Sequence, residues 1–95
     1  MFVLQIEHSV PNYEGWKIAF DYDPVQRKKS GVKHYRIFRL ADDPNYIIID
    51  LEFDNLSEAE ALLQKLHGLW RRVEGKVMIN PKTRIIEMVE NTSLI

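Results

Sequence analysis

The chain has 95 residues, 45% hydrophobic and 28% charged, with a formal net charge of −1. That is one globular domain, with no length for a second and no global electrostatic footprint for nucleic acid or an anionic membrane. Cysteine is absent, which excludes a disulfide framework, a thiol nucleophile and any cysteine metal site.

Residues 2–8 alternate Phe, Leu and Ile with Val, Gln and Glu. That period of two predicts a half-buried strand. Met1 leads straight into it, without the basic segment and apolar run of a signal peptide. No apolar run approaches the ~20 residues that cross a bilayer, so the expected location is the cytoplasm. Pro11-Asn12 ends the strand, and Asn12 is a good N-cap for a helix carrying Tyr13, Trp16 and Phe20 at helical spacing. Gly15 weakens that helix by about 1 kcal/mol relative to Ala. Asp23-Pro24 interrupts it and predicts a short helical turn through residues 25–29. Arg27, Lys28 and Lys29 then sit at the negative end of its dipole, with Gly31 at C′.

A second strand is predicted over residues 32–40, a turn over 41–45 and a third strand over 46–53, together a hairpin. Ser57 and Glu60 match a capping box, S-x-x-E, for the second helix. Ala59, Leu62, Leu63, Leu66, Leu69 and Trp70 form its apolar stripe. Residues 71–82 read as a connector containing Gly75 and Asn80-Pro81, with Val77-Met78-Ile79 packing locally. Residues 84–90 read as the last strand, followed by a tail.

Strand, helix, strand, strand, helix, strand is the split βαβ order of a ferredoxin-like α+β fold, a four-stranded antiparallel sheet with both helices on one face. The crossover rule predicts the first and third strands side by side and parallel. Ile47-Ile48-Ile49, Ile85-Ile86 and Met88-Val89 are apolar on both sides of their strands. Such strands are normally covered on both faces. Two helices cover one; a second copy related by a two-fold axis would cover the other. The expected partner is therefore another copy of the chain.

The segments Gln5-Ile6-Glu7-His8-Ser9-Val10-Pro11-Asn12-Tyr13 and Trp16-Lys17-Ile18-Ala19-Phe20-Asp21 resemble the opening of small dimeric α/β-barrel proteins. So do Asp23-Pro24, Gly31-Val32, Tyr35-Arg36, Asp43-Pro44-Asn45-Tyr46, Asp50-Leu51-Glu52-Phe53 and Glu58-Ala59-Glu60-Ala61, and more weakly Arg84-Ile85-Ile86-Glu87. The superfamily is the one that contains antibiotic-biosynthesis monooxygenase-like and cyclase-like proteins. The resemblance implies a homodimer whose sheets pack face to face as a dimeric α/β barrel. It implies no single chemistry, since cofactor-free oxygenases, haem-degrading enzymes, isomerases and sensor modules share the fold.

If Ile47, Ile49, Leu51 and Phe53 face the helices, alternation puts Tyr46, Ile48, Asp50 and Glu52 on the barrel interior. Gln5 and Glu7, His34 and Arg36, and Glu87 would join them from the other strands. His34 and Asp50 are the candidate acid–base residues, and Arg36 could bind an anionic substrate. Trp16, Phe20, Arg36 and Tyr46 are the candidate ligand-binding residues. The plainer reading is a set of ion pairs at an intersubunit surface.

His8, at the end of its strand, could line a pocket mouth with Trp16 and Phe20, although packing is the more ordinary role for all three. His67, beside Trp70, could ligate haem as in some relatives of the superfamily; a boundary histidine is the plainer reading. The three histidines lack metal-ligand spacing, so no metal and no cofactor are expected. Arg27, Lys28, Lys29 and Lys33 form a basic cluster, but an RNA-binding sheet of this fold needs stacking aromatics where Asp50 and Glu52 stand.

The sequence leaves two functions open. One is a module that binds a small ligand or merely assembles. The alternative is a cofactor-independent monooxygenase or cyclase acting on a small aromatic or polyketide-like compound. The second predicts a pocket between sheet and helices lined by Trp16, Phe20 and Tyr46, with His34 or Asp50 pointing in.

Overall fold

Alternating burial along the first strand decides where the core forms. In the computed structural model, which describes residues 1–73 and 78–95, β1 spans Phe2–Ser9 and buries Leu4, Ile6 and His8 on one side. Ile47, Ile49, Leu51 and Phe53 are buried on the same side of β3, Asp43–Phe53. With β2, His34–Leu40, and β4, Ile79–Glu87, these strands form one sheet in the order β2-β3-β1-β4. The helices α1, Tyr13–Asp21, and α2, Leu56–Val73, complete the ferredoxin-like βαββαβ order.

β1 and β3 are neighbours, as expected, but they are antiparallel, not parallel. β3 lies between β1 and β2 and pairs antiparallel with both. The parallel pair joined through α1 is therefore β1 and β2, one strand apart.

Asn12 caps α1 as expected, its Oδ1 accepting from Gly15 N at 2.7 Å. Trp16 and Phe20 follow one turn apart and carry the helix onto the sheet. The expected helical turn is displaced. Asp23 and Gln26, at φ of +54° and +51°, interrupt its start. A single turn closes after them, Ser30 N donating to Gln26 O at 2.9 Å and Gly31 N to Lys28 O at 3.2 Å, with Gly31 just past its end as expected. Asp23 Oδ1 accepts from the backbone N–H of Arg27 at 2.9 Å, and Val32 N donates to Arg27 O at 3.0 Å. Gly31 ends the segment at φ +100°; a Cβ there would collide with the Glu58 carboxylate.

The hairpin is tighter than predicted, since β3 begins at Asp43 and takes in Pro44 and Asn45. A register shift at Leu40 accommodates them, and Pro44 is tolerated near the strand start, where a missing N–H breaks little of the ladder. The N-cap of α2 is Asn55, two residues earlier than the Ser57 of the Ser57–Glu60 match. Glu58 N donates to Asn55 Oδ1, and Asn55 Nδ2 donates to Glu58 Oε1, both at 2.9 Å. Ala59, Leu62, Leu66 and Trp70 are buried along the predicted stripe, with Leu63 and Leu69 half-buried beside them.

β4 starts five residues before the expected 84. Asn80-Pro81, read as connector, instead forms a bulge: the pair opposes the single residue His8, between the pairings Glu7↔Lys82 and Ser9↔Ile79. Asn80 takes φ +51°. Met78 is buried as expected, while Gly75 and Val77 of that connector lie outside the described residues. No described helix is long and apolar enough to cross a membrane.

Candidate functional site

Between the sheet and the two helices lies a cavity of about 160 Å3. Its floor is Ile6, His8, Ile49 and Leu51; α1 supplies Trp16 and Phe20, α2 supplies Leu66 and Trp70, and the turns after α1 supply Pro24, Val25 and Arg27. Among the described residues the lining is apolar apart from His8 and Arg27.

His8 reaches the cavity because it continues the Leu4, Ile6 face of β1; it is 1% exposed. Its Nδ1 lies 3.0 Å from the carbonyl oxygen of Ser9. A carbonyl only accepts, so Nδ1 carries the proton and Nε2 is left as an acceptor. Nε2 is buried and, among the described residues, has no hydrogen-bond partner. Burial pushes the imidazole below its ordinary pKa of 6.5, the bond to Ser9 opposing it more weakly. At neutral pH the ring is therefore uncharged.

From His8 a row of rings runs along one wall. Trp16 meets His8 edge-on at 6.2 Å between centroids, Phe20 lies 5.1 Å from Trp16, and Tyr35 lies 5.3 Å from Phe20. The Arg27 guanidinium sits 3.8 Å over the Phe20 ring and 5.2 Å from that of Tyr35.

The opposite face of the sheet is polar at its centre. Arg36, Asp50, Gln5 and Arg84 stand in one row across all four strands. Gln5 Nε2 donates to Asp50 Oδ1 at 3.0 Å, and Arg84 Nε donates to Gln5 Oε1 at 2.8 Å. Arg36 reaches Glu52 at 3.2 Å and Asp50 at 3.7 Å; Arg84 reaches Glu7 at 3.9 Å. Phe38 and Ile86 on this face are 45% and 41% exposed, and Ile48 is half-buried between strands. Tyr46 lies here too; partial burial first, then the Glu7 carboxylate, push its phenol pKa up.

The structure thus divides the residues that the sequence groups together. Trp16 and Phe20 line the cavity. His34, Arg36, Tyr46 and Asp50 share the open face, as alternation predicts, and a sheet's thickness separates them from the cavity. Tyr46 does not line the cavity, and neither His34 nor Asp50 points into it, because strand alternation sends them the other way. Glu87 pairs with Phe2 and so belongs to the helix-facing side, not the barrel interior. His67 is exposed, its ring 5.9 Å from that of Trp70. Among the described residues no group of three His, Asp or Glu side chains could hold a metal ion.

Solved structures place this arrangement. A candidate antibiotic biosynthesis monooxygenase from Nitrosomonas europaea superposes with a TM-score of 0.71 at 24% identity, covering 95% of this chain and 100% of its own. A dimeric ferredoxin-like protein from an uncultured marine organism gives 0.66 at 11%, covering 96% and 97%. A second candidate antibiotic biosynthesis monooxygenase, from Deinococcus radiodurans, gives 0.64 at 14%, covering 100% and 99%. The chain shares their fold. No protein-family model matches the chain, and no curated protein does.

Two side chains of the cavity, His8 and Arg27, differ in how far the sequence announces them. His8 carries a legible signal, since it extends the alternation Leu4, Ile6 onto the buried face. Arg27 carries none: as the end of a helical turn it would point to solvent, and only the reversals at Asp23 and Gln26 bring it over Phe20.

Proposed function

We propose that this protein is a homodimer that binds a small aromatic compound in the cavity between its sheet and its helices. The observation that carries the reading is His8, which lines an apolar cavity of about 160 Å3 and whose buried Nε2 has no hydrogen-bond partner among the described residues. A buried acceptor without a hydrogen bond costs on the order of 1–3 kcal/mol, and a ligand hydroxyl would return that energy as affinity. A cavity near 150 Å3 is of the size that takes one benzene ring. Trp16 and Phe20 act as its walls. Arg36, Asp50 and Tyr46 are assigned to the open face, where a second copy would cover Phe38, Ile48 and Ile86.

A second reading is a cofactor-independent monooxygenase or cyclase. The uncharged His8 favours it, because a neutral imidazole can take the proton of a bound phenol or enol and leave an electron-rich ring. His34 and Asp50 would then serve the interface and not the chemistry.

Titration with phenol, followed by Trp16 and Trp70 fluorescence and by calorimetry, tests the cavity. Saturable binding that disappears in Ala19→Trp, which fills the cavity, is the expected result. Absence of binding in the parent, with Ala19→Leu raising the melting temperature, would make the cavity a packing defect. Oxygen uptake with the bound phenol, lost in His8→Phe, would select the enzymatic reading.

A further inference from the structure

The cavity has a second polar group besides His8, and the two differ in kind. Arg27 is a permanent cation whose side chain is 14% exposed. Its NH1 is occupied, donating to Phe20 O at 2.9 Å and lying 3.4 Å from Asp23 Oδ1. Asp23 is itself held by the Arg27 backbone N–H. Among the described residues, Nε and NH2 of Arg27 make no hydrogen bond. A guanidinium stacked on an aromatic face, with one edge satisfied and donors remaining, is a receptor for an anionic oxygen. His8, in contrast, offers only an acceptor, because the Ser9 carbonyl fixes its proton on Nδ1. A carboxylate at Nε2 would meet lone pair with lone pair; a hydroxyl would be satisfied. The aromatic row through Trp16 and Phe20 joins the two groups.

We propose that Arg27 and His8 together make this cavity selective for one-ring hydroxyaryl acids, the ring hydroxyl donating to His8 Nε2 and the acidic group accepting from Arg27. This rests on the cavity being a ligand site. The orientation is dictated: the acid cannot bind at His8, and the hydroxyl gains most there, where the acceptor is buried. A neutral phenol satisfies half of the site, and an aromatic acid without the hydroxyl leaves Nε2 unpaired.

Calorimetric titration of the full chain with phenol, benzoate, 4-hydroxybenzoate, 4-hydroxyphenylacetate and their two amides tests it. At least one hydroxy acid should bind about tenfold or more tightly than its own amide, the yield of one charge-assisted hydrogen bond pair. It should also bind more tightly than benzoate. In R27M, which keeps an aliphatic stem over Phe20, the acid-to-amide ratio should fall to about one; R27K should restore part of it. In H8F the advantage of the hydroxyl should vanish while the preference for acid over amide survives. Thermal melts of each variant establish that it is folded. If phenol binds but acids and amides bind alike, or the ratio survives in R27M, the role of Arg27 is wrong and the cavity reading stands. If nothing binds, phenol included, the cavity reading fails and this inference with it.

Discussion

His8 joins stability, pH and ligand chemistry in one side chain. Burial lowers its pKa in the folded protein, whereas the unfolded chain protonates it near the ordinary value of 6.5. Below that value the unfolded state binds the extra proton and the folded state resists it, so stability falls as pH falls. The contribution is fully present above pH 6.5 and is lost on acidification from there through the folded value. Melting temperatures measured from pH 8 to pH 5 should therefore decline most steeply below 6.5, and the His8→Phe variant should lose that component of the slope. A His8→Phe profile parallel to the parent's would mean that the histidine titrates normally and that its environment is wet. The face of His8 is legible in the sequence through Leu4 and Ile6, which it follows at intervals of two. Its missing partner is not, because that depends on what α1 and α2 bring over it. Arg27 is the converse case: its side chain is conspicuous in the basic run, but its direction depends on two positive-φ residues, Asp23 and Gln26, neither of them glycine.

Elements were legible as far as their order and their buried faces, and less so at their ends. The alternation in β3 and the stripe on α2 are core-forming patterns, and the core follows them: Ile47, Leu51, Phe53, Leu62 and Leu66 are all buried. Their ends depend on competition between neighbouring polar side chains. Asn55 and Ser57 both offer an N-cap, and Asn55 prevails because its amide both accepts from Glu58 N and donates to the Glu58 carboxylate. Ser57 Oγ instead donates to Asn55 Oδ1 at 2.8 Å. Replacing Asn55 by Ala should cost about 1 kcal/mol in chemical denaturation, and Ser57→Ala should cost less. The same Glu58 carboxylate packs against Gly31, so the cap of α2 and the turns that carry Arg27 are one unit. Gly31→Ala should cost about 1–3 kcal/mol, from backbone strain at φ +100° and from displacing Glu58. In a Glu58→Ala background the steric part disappears, and a double-mutant cycle should show that coupling. Additive costs would mean that the turns and the cap are independent.

At the scale of the molecule, the open sheet face explains why so polar a surface can be an interface. Glu7, Asp50 and Glu52 stand among Arg36 and Arg84, each carboxylate in an ion pair with a guanidinium. Exposed, such pairs contribute little, with a median of about 0–1 kcal/mol. Covered, they are tolerable because none is left unpaired, and the gain on covering comes from the apolar residues around them, Phe38, Ile48 and Ile86. Apolar residues on both sides of β3 are the feature of the sequence that anticipates this face; the row Arg36, Asp50, Gln5, Arg84 is not readable there, because it requires the register of three strand pairings. The proposed dimer should have twice the chain mass of 11.2 kDa by light scattering. Ile48→Lys replaces apolar contact area on the proposed interface with a cation that must be desolvated, even with Glu7 directly across the strand pair, and should yield monomer, whereas Ile18→Lys, on the outer surface of α1 where Ile18 is 62% exposed, should remain dimeric. Because the cavity lies on the other side of the sheet, the Ile48→Lys monomer should still bind phenol, weakened only as far as its own lower stability dictates. A monomer that is folded by circular dichroism yet binds no phenol would mean that the second copy shapes the ligand site through the sheet. A parent protein that is already monomeric would leave the open face to some other role.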